Sequence, residues 1–95
     1  MILVVTRAAV ADFDRLRNFL ISKDADAARV AVSLLGAAMV SLTELPQRGR
    51  PSGIPGVREM IVPFGGSAYV LRYAYLAERS EIVILRVWHG REART

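Results

Sequence analysis

The segment that decides the fold lies near the end of the chain and reads Glu81-Ile82-Val83-Ile84-Leu85-Arg86-Val87-Trp88-His89-Gly90-Arg91-Glu92. Residues 82–88 are apolar apart from Arg86, and this pattern predicts a strand that is buried on both faces. Burying an arginine in such a strand costs free energy unless its guanidinium is paired. Arg86 therefore needs a partner, and His89, the one histidine of the sequence, is a candidate site residue at the strand end.

Two more strands precede this segment, because the apolar residues recur with a period of two over residues 57–63 and 68–76. Turn-forming residues separate the strands at positions 64–67 and 78–80. Three consecutive strands joined by short turns predict an antiparallel meander. An apolar, β-branched run at residues 2–6 adds a fourth strand.

The first half of the chain is predicted to form a helical hairpin. Thr6 is a suitable N-cap for a helix ending near Ile21, and Asp24 is a suitable N-cap for a helix over residues 25–45. Pro46 ends the second helix, and a loop rich in proline and glycine follows to Gly56. The sequence thus predicts one α+β domain over residues 1–95, in which the N-terminal strand and the helical hairpin join a four-stranded antiparallel sheet.

Each helix has a predicted buried side. In the first helix, the polar residues assigned to the solvent side are Asp12, Asp14, Arg15, Arg17 and Asn18. In the second helix, the predicted core stripe is Ala31, Leu34, Leu35, Ala38, Leu42 and Leu45. Further apolar residues lie beside that stripe: Val30, Val32, Met39 and Val40. Either this helix is buried between the first helix and the sheet, or part of its surface receives a partner segment.

Composition excludes several classes of protein. The 95 residues are 53% hydrophobic and contain no cysteine, so the chain has neither a disulfide framework nor a zinc–thiolate site. With a single histidine, no metal site is expected, and no cofactor is expected either. The N-terminus lacks the features of a signal peptide and no apolar run approaches the roughly 20 residues of a membrane span, so we expect a cytoplasmic protein without a membrane partner.

The charge of the chain is carried by arginine. Net charge is +4, and Lys23 is the single lysine among 13 basic residues. Guanidinium groups suit phosphate and carboxylate recognition, although a GC-rich genome also favours arginine codons. A domain of this charge is compatible with nucleic acid, a ribosome or an acidic protein as its partner.

Each strand of the meander carries one arginine in apolar or aromatic surroundings: Arg58, Arg72 and Arg86. If the register brings them to one side of the sheet, they form an anion-binding surface. The alternative is that Glu59, Glu81 or Glu92 pairs with them, or that their guanidinium groups reach solvent at the sheet edge.

Other side chains have more than one interpretation. His89 is either a general acid or base or a structural residue. The three tyrosines of the middle strand, Tyr69, Tyr73 and Tyr75, share one face and are interpreted as packing residues whose hydroxyls need partners where they are buried. Trp88 is interpreted as a core residue in preference to an exposed contact.

Taken in order, five motifs resemble the ParE/RelE superfamily of toxins from bacterial type II toxin–antitoxin modules. They are Leu45-Pro46, Gly49-Arg50-Pro51, Pro55-Gly56-Val57-Arg58-Glu59, Tyr69-Val70-Leu71-Arg72-Tyr73 and the segment from Ile82 to Glu92. The resemblance covers nearly the whole chain. It implies a twisted four-stranded antiparallel sheet against a helical hairpin, and a cognate antitoxin that wraps the toxin in a hetero-oligomeric complex.

The resemblance leaves two activities open. ParE-like toxins inhibit DNA gyrase and serve in plasmid stabilisation, and the Gly-Arg-Pro loop and the His-Gly-Arg ending favour this branch. RelE-like toxins cleave mRNA on the ribosome, which implies Arg58 and Arg72 as phosphate-stabilising residues, His89 as general acid and Glu59 as base. The chain lacks the lysine-rich catalytic face of that branch. The arginines proposed to contact the target or an anion are Arg48, Arg50, Arg58, Arg72, Arg86 and Arg91.

Overall fold

A computed structural model describes residues 1–92 and shows a two-layer α+β arrangement. The helices are α1 (Arg7–Ile21) and α2 (Ala25–Glu44). The strands are β1 (Ile2–Val5), β2 (Arg50–Pro51), β3 (Val57–Phe64), β4 (Ser67–Leu76) and β5 (Glu81–His89). The predicted α+β class and the boundaries of the main elements are confirmed to within one or two residues.

The sheet differs from the prediction in strand number and direction. It has five strands in the order β1-β5-β4-β3-β2, and β1 runs parallel to β5. The prediction of four antiparallel strands was therefore wrong in both respects. The additional strand β2 forms because Arg50 and Pro51 pair with Glu59 and Arg58 along β3, in a stretch that its prolines and glycines had suggested was entirely loop.

Both helices begin where their capping residues predict. The Thr6 hydroxyl accepts a hydrogen bond from the Ala9 amide, and the Asp24 carboxylate accepts from the amides of Asp26 and Ala27. These contacts satisfy amide groups that lack partners within the first helical turn. Thr6 also ties α1 to the sheet, since its amide donates to the Ile84 carbonyl and its hydroxyl donates to the Leu85 carbonyl.

The core lies between the two helices and one face of the sheet. It contains α1 and α2 residues spaced by three, four or seven positions, as a helix face requires, and alternate residues of β4. Strand β3 contributes Val62, and the core residues of β5 alternate except between Ile84 and Val87. The buried members are Ala9, Leu16, Ala31, Leu35, Ala38, Leu42, Val62, Tyr69, Leu71, Tyr73, Ile82, Ile84 and Val87. The opposite face of the sheet, which we call the open face, lacks a helical cover among residues 1–92.

Helix α2 is less buried than its composition suggested. Leu34 and Leu45 were predicted in the core but are exposed, as are Val30, Val32 and Val40. The alternative in which α2 is well buried between α1 and the sheet therefore holds for Ala31, Leu35, Ala38 and Leu42 and not for these exposed residues. By length and composition alone α2 is also apolar enough to cross a membrane, although core helices of soluble proteins share these properties.

Candidate functional site

On the open face, Arg72 and Arg86 both contact Trp88. They are partners across β4 and β5, and their Cζ atoms lie 4.8 and 5.0 Å from the centre of the indole ring. These distances are those of two cation–π contacts. The two guanidinium groups therefore bury Trp88 without a helix above it, and Trp88 is a packing residue, as interpreted from the sequence.

A β-bulge places Arg86 on the open face. Arg72 faces Arg86 and Tyr73 faces Ile84, so Leu85 is an extra residue on β5. A bulge of this kind reverses the alternation of side chains along the strand. Strict alternation along β5 predicts Arg86 on the same face as Ile84, but Ile84 belongs to the core and Arg86 does not.

The partner that Arg86 requires is Asp12 of α1. The Asp12 carboxylate accepts hydrogen bonds from Arg86 Nε at 2.7 Å and Nη2 at 3.1 Å, from the Val87 amide at 2.8 Å and from Arg15 Nη1 at 2.7 Å. Asp12 is only 2% exposed. Burial opposes its ionisation, but the hydrogen bonds from Arg86, Arg15 and Val87 outweigh it and hold its pKa below the ordinary value. The prediction that Asp12 faces solvent was wrong, and Arg86 pairs with this aspartate and with none of the three glutamates considered as its partners.

Arg72 does pair with a glutamate. Its Nη2 and Nε atoms lie 2.8 and 3.1 Å from Glu59 Oε2, and Glu59 is buried. Arg50 lies 4.0 Å from the same carboxylate. Both strand arginines of the open face are thus engaged by carboxylates and an indole ring.

Arg58 lies on the opposite face of the sheet. It faces Tyr73 across β3 and β4, and its Nη1 donates to the Gly49 carbonyl at 2.7 Å. Tyr73 binds the same loop, because its hydroxyl accepts from the Gly49 amide at 2.9 Å and donates to the Pro46 carbonyl at 2.8 Å. The prediction that Arg58, Arg72 and Arg86 form one cluster was therefore wrong, and only the last two lie together.

His89 lies at the end of β5, on the helix side of the sheet. Its ring packs edge-on against Tyr69 with 5.7 Å between ring centres, and its Nδ1 accepts a hydrogen bond from the Arg91 amide. Glu92 accepts from the His89 amide and from Arg15 Nε and Nη2, which fixes residues 90–92 against α1. Burial opposes ionisation of Glu92, yet the Arg15 hydrogen bonds keep its pKa below the ordinary value.

A groove of about 450 Å³ opens beside His89, between α1 and the adjacent ends of β4 and β5. Its floor and walls are mostly apolar, and two arginines and a glutamate stand at its rim. The lining residues are Arg15, Leu16, Phe19, Leu20, Phe64, Tyr69, His89, Arg91 and Glu92.

The four residues that the resemblance implies for RNA cleavage do not converge. Glu59 and Arg72 are an ion pair on the open face, whereas Arg58 and His89 lie on the helix side. On that side Arg58 and His89 face Tyr73 and Tyr69, which are four residues or about 13 Å apart along β4. Of the residues predicted to contact the target, Arg48, Arg50 and Arg91 are exposed. Residues 1–92 hold no group of three potential metal ligands.

Sequence reasoning missed Asp12, Arg15 and Tyr73 as organising residues. A signal for Asp12 was present, because positions 9, 12 and 16 of a helix share a face and both Ala9 and Leu16 are apolar. A carboxylate within an apolar stripe, together with an arginine in an apolar strand, indicates a buried pair.

A helical hairpin on one face of a small mixed sheet matches the architecture of the toxins that the sequence resembles. Residues 3–94 match the family described as the ParE toxin of the type II toxin–antitoxin system parDE. The chain belongs to this family, within the ParE/RelE superfamily.

Individual relatives agree with this assignment. The chain is 48% identical over 91 residues to a protein named Toxin RelE1 of Caulobacter vibrioides, covering 96% of this chain and 95% of that protein. It is 31% identical over 83 residues to Toxin RelE3 of the same organism, covering 87% of each.

Two solved structures share the fold. The chromosomal ParDE system of P. aeruginosa has a chain that is 27% identical, with a TM-score of 0.75 over 94% of this chain and 95% of that chain. The intact E. coli RelBE toxin–antitoxin complex has a chain that is 18% identical, with a TM-score of 0.68 over 98% of both, and this second likeness concerns the fold alone.

Proposed function

We propose that this toxin inhibits DNA gyrase and that a cognate antitoxin neutralises it in the cytoplasm, as part of a module that stabilises a plasmid or other replicon. The observation that carries the choice of target is the separation of Arg58 and His89 from Glu59 and Arg72. Cleavage of RNA by general acid–base chemistry requires the acid, the base and the phosphate-binding groups around one phosphodiester. A gyrase inhibitor needs a binding surface and no such arrangement.

The contacts of these four residues also favour structural roles. Glu59 accepts two hydrogen bonds from Arg72, and Arg58 donates to a loop carbonyl. A general base must have a free lone pair within reach of the substrate hydroxyl. In this structure Arg72 occupies the Glu59 carboxylate and would compete with a substrate hydroxyl for it.

The second candidate is a ribosome-dependent endoribonuclease. The relative that is 48% identical carries the name RelE1, and the open face presents two arginines side by side. A supercoiling assay with purified gyrase, run beside primer extension on translated mRNA, separates the two targets. Loss of supercoiling without codon-linked cuts supports gyrase, and codon-linked cuts without loss of supercoiling overturn the proposal.

Two observations support an antitoxin partner: the description of a similar solved structure and the apolar groove beside His89. The solved structure that is 27% identical is described as a chromosomal ParDE TA system. The groove offers apolar surface from Phe19, Leu20 and Phe64 within a rim that includes Arg15 and Arg91. An amphipathic antitoxin segment with acidic flanks has the complementary chemistry. Co-expression with the neighbouring reading frame should rescue growth, and purification of the toxin without any co-purifying antitoxin would contradict this part.

A further inference from the structure

The loop between α2 and β3 is fixed more firmly than its glycines and prolines suggest. Tyr73 holds it by two hydrogen bonds, one from the Gly49 amide and one to the Pro46 carbonyl, and Arg58 holds the Gly49 carbonyl. Tyr73 is fully buried and Gly49 is buried. Both backbone polar groups of Gly49, its amide and its carbonyl, are therefore bonded to side chains of the sheet.

Gly49 is required at this point for a steric reason. A Cβ atom there would lie 2.7 Å from Tyr73 Cε1, 2.8 Å from its hydroxyl and 2.8 Å from the Glu59 carbonyl oxygen. All three distances are shorter than carbon atoms tolerate. Only glycine lets the loop approach the sheet closely enough for the Tyr73 hydroxyl to reach its backbone.

The outer side of residues 45–54 presents both arginines and apolar side chains to solvent. Arg48 and Arg50 are exposed on either side of Gly49. Leu45 is 59% exposed and Ile54 is 50% exposed on the same segment. Arginine is enriched at protein interfaces and their buried centre is apolar, whereas single-stranded nucleic acid is bound by exposed aromatic rings, and residues 45–54 contain none.

We propose that residues 45–54 are the surface by which the toxin contacts its protein target, and that the matching surface of the target is acidic around an apolar centre. Tyr73 and Arg58 are positioning residues: they touch no target but hold the segment that does. This inference rests on the proposed function, because it takes the target to be a protein.

The first experiment tests the surface. In the full chain, Arg48→Glu with Arg50→Glu reverses its charge, and Arg7→Glu with Arg17→Glu, on exposed positions of α1, makes the same change in net charge elsewhere. Because Arg50 lies 4.0 Å from the buried Glu59, Arg48→Glu alone is measured beside them and should weaken inhibition in the same direction with that contact kept. The loop variant should raise the toxin concentration for half-inhibition of gyrase supercoiling by about tenfold or more, since two charge contacts become repulsive. The α1 variant should stay close to the unmodified toxin.

The second experiment tests the positioning residues. Tyr73→Phe removes both loop hydrogen bonds, and Tyr75→Phe makes the same chemical change at a hydroxyl that bonds to no group in residues 1–92. Hydrogen exchange of the Gly49 amide should accelerate about tenfold in the first variant and stay unchanged in the second. Inhibition of gyrase should weaken severalfold in the first alone, with antitoxin binding unchanged, which loss of overall stability would not produce.

The outcomes separate the two proposals. If the toxin inhibits gyrase and the loop variant matches the α1 variant, the inference about residues 45–54 is wrong and the gyrase proposal stands. If the toxin arrests growth without inhibiting gyrase, the gyrase proposal is wrong. Growth arrest then tests the loop: weaker arrest by the loop variant alone supports its role, and equal arrest by the loop and α1 variants contradicts it. Loss of binding to a labelled DNA duplex or single-stranded RNA in the loop variant alone assigns the surface to phosphates and overturns the inference. A chain that neither arrests growth nor inhibits gyrase overturns both proposals.

Discussion

Asp12 and Arg86 lie 74 positions apart in sequence and form a two-contact ion pair that joins α1 to the bulge of β5. Strand β1 pairs with β5 only as far as Ile84. Beyond that point the edge of β5 is covered by α1, where Asp12 accepts the Val87 amide and Arg15 Nη2 approaches the Val87 carbonyl at 3.4 Å. The pair therefore completes an edge of the sheet that would otherwise be open.

Removing Asp12 should destabilise the fold. Asp12→Ala leaves the Val87 amide and the Arg86 guanidinium without their acceptor, and we expect a loss of about 2–4 kcal/mol in the free energy of unfolding. The loss stays below that of a fully buried pair because the Arg86 side chain is 33% exposed. Urea denaturation measures it. Asp14→Ala, two positions along the helix at an exposed site, should change stability by less than about 0.5 kcal/mol.

The same carboxylate predicts a dependence of stability on pH. Burial, which opposes ionisation, is outweighed in Asp12 by hydrogen bonds from Arg86, Arg15 and Val87, so its pKa in the folded chain lies below the ordinary value of 3.8. A carboxylate with a depressed folded-state pKa contributes stability above its unfolded pKa and loses it as pH falls through the folded value. Unfolding of the unmodified chain and of Asp12→Asn should therefore differ at pH 7 and converge below about pH 4. A difference that stays constant down to pH 3 would show that Asp12 does not titrate with folding.

The sequence predicted those parts of the fold that depend on local chemistry. Thr6 and Asp24 identify the helix starts because their side chains satisfy amide groups a few residues away. The two-residue Gly65-Gly66 turn identifies the β3–β4 hairpin, and Gly65 has the positive φ that such turns require. These signals act within a few positions of the chain, so a single sequence contains them.

What the sequence did not predict depends on register and on distant residues. Nothing local to Leu85 indicates a bulge, yet one extra residue moved Arg86 to the other face from Ile84 and brought it to Asp12. Similarly, the position of Arg58 opposite Tyr73 follows from the pairing of β3 with β4. Alternation along single strands therefore does not predict whether the candidate arginines form one cluster, because this depends on the register between strands.

Two glycines should respond to alanine in opposite directions. Gly49→Ala forces a Cβ atom against Tyr73 and the Glu59 carbonyl, and we expect a loss of about 1–3 kcal/mol in stability. Gly36→Ala places a methyl group in open space within α2, and we expect a gain of about 0.5–1 kcal/mol. Thermal unfolding of both variants under one set of conditions tests the pair. Equal effects at the two positions would contradict the close approach of the loop to Tyr73.

The groove beside α1 should decide antitoxin affinity. Phe19 lines it and is 61% exposed, so Phe19→Ser should weaken antitoxin binding by about tenfold or more through lost apolar burial while leaving the fold intact. Val40, 57% exposed on α2 and outside the groove, provides the matched control as Val40→Ser. Titration calorimetry with the purified antitoxin measures both. Equal weakening by the two substitutions would place the antitoxin on a broader surface, and no weakening by either would remove the groove from the interface.

His89 distinguishes the two proposed targets most directly. Its imidazole packs on Tyr69 and accepts the Arg91 amide, at about 13 Å or more along the sheet from the position of Arg58 and on the other face from Arg72. We therefore expect His89→Ala to retain inhibition of gyrase within about threefold, whereas a general acid would lose about 10²–10⁴-fold in cleavage rate. The measurement is growth arrest after induction, followed by supercoiling and primer-extension assays on the purified variant. Circular dichroism and the unfolding midpoint serve as the control for folding. A folded His89→Ala variant that no longer arrests growth, paired with loss of codon-linked cuts, would identify His89 as catalytic and reject gyrase as the target.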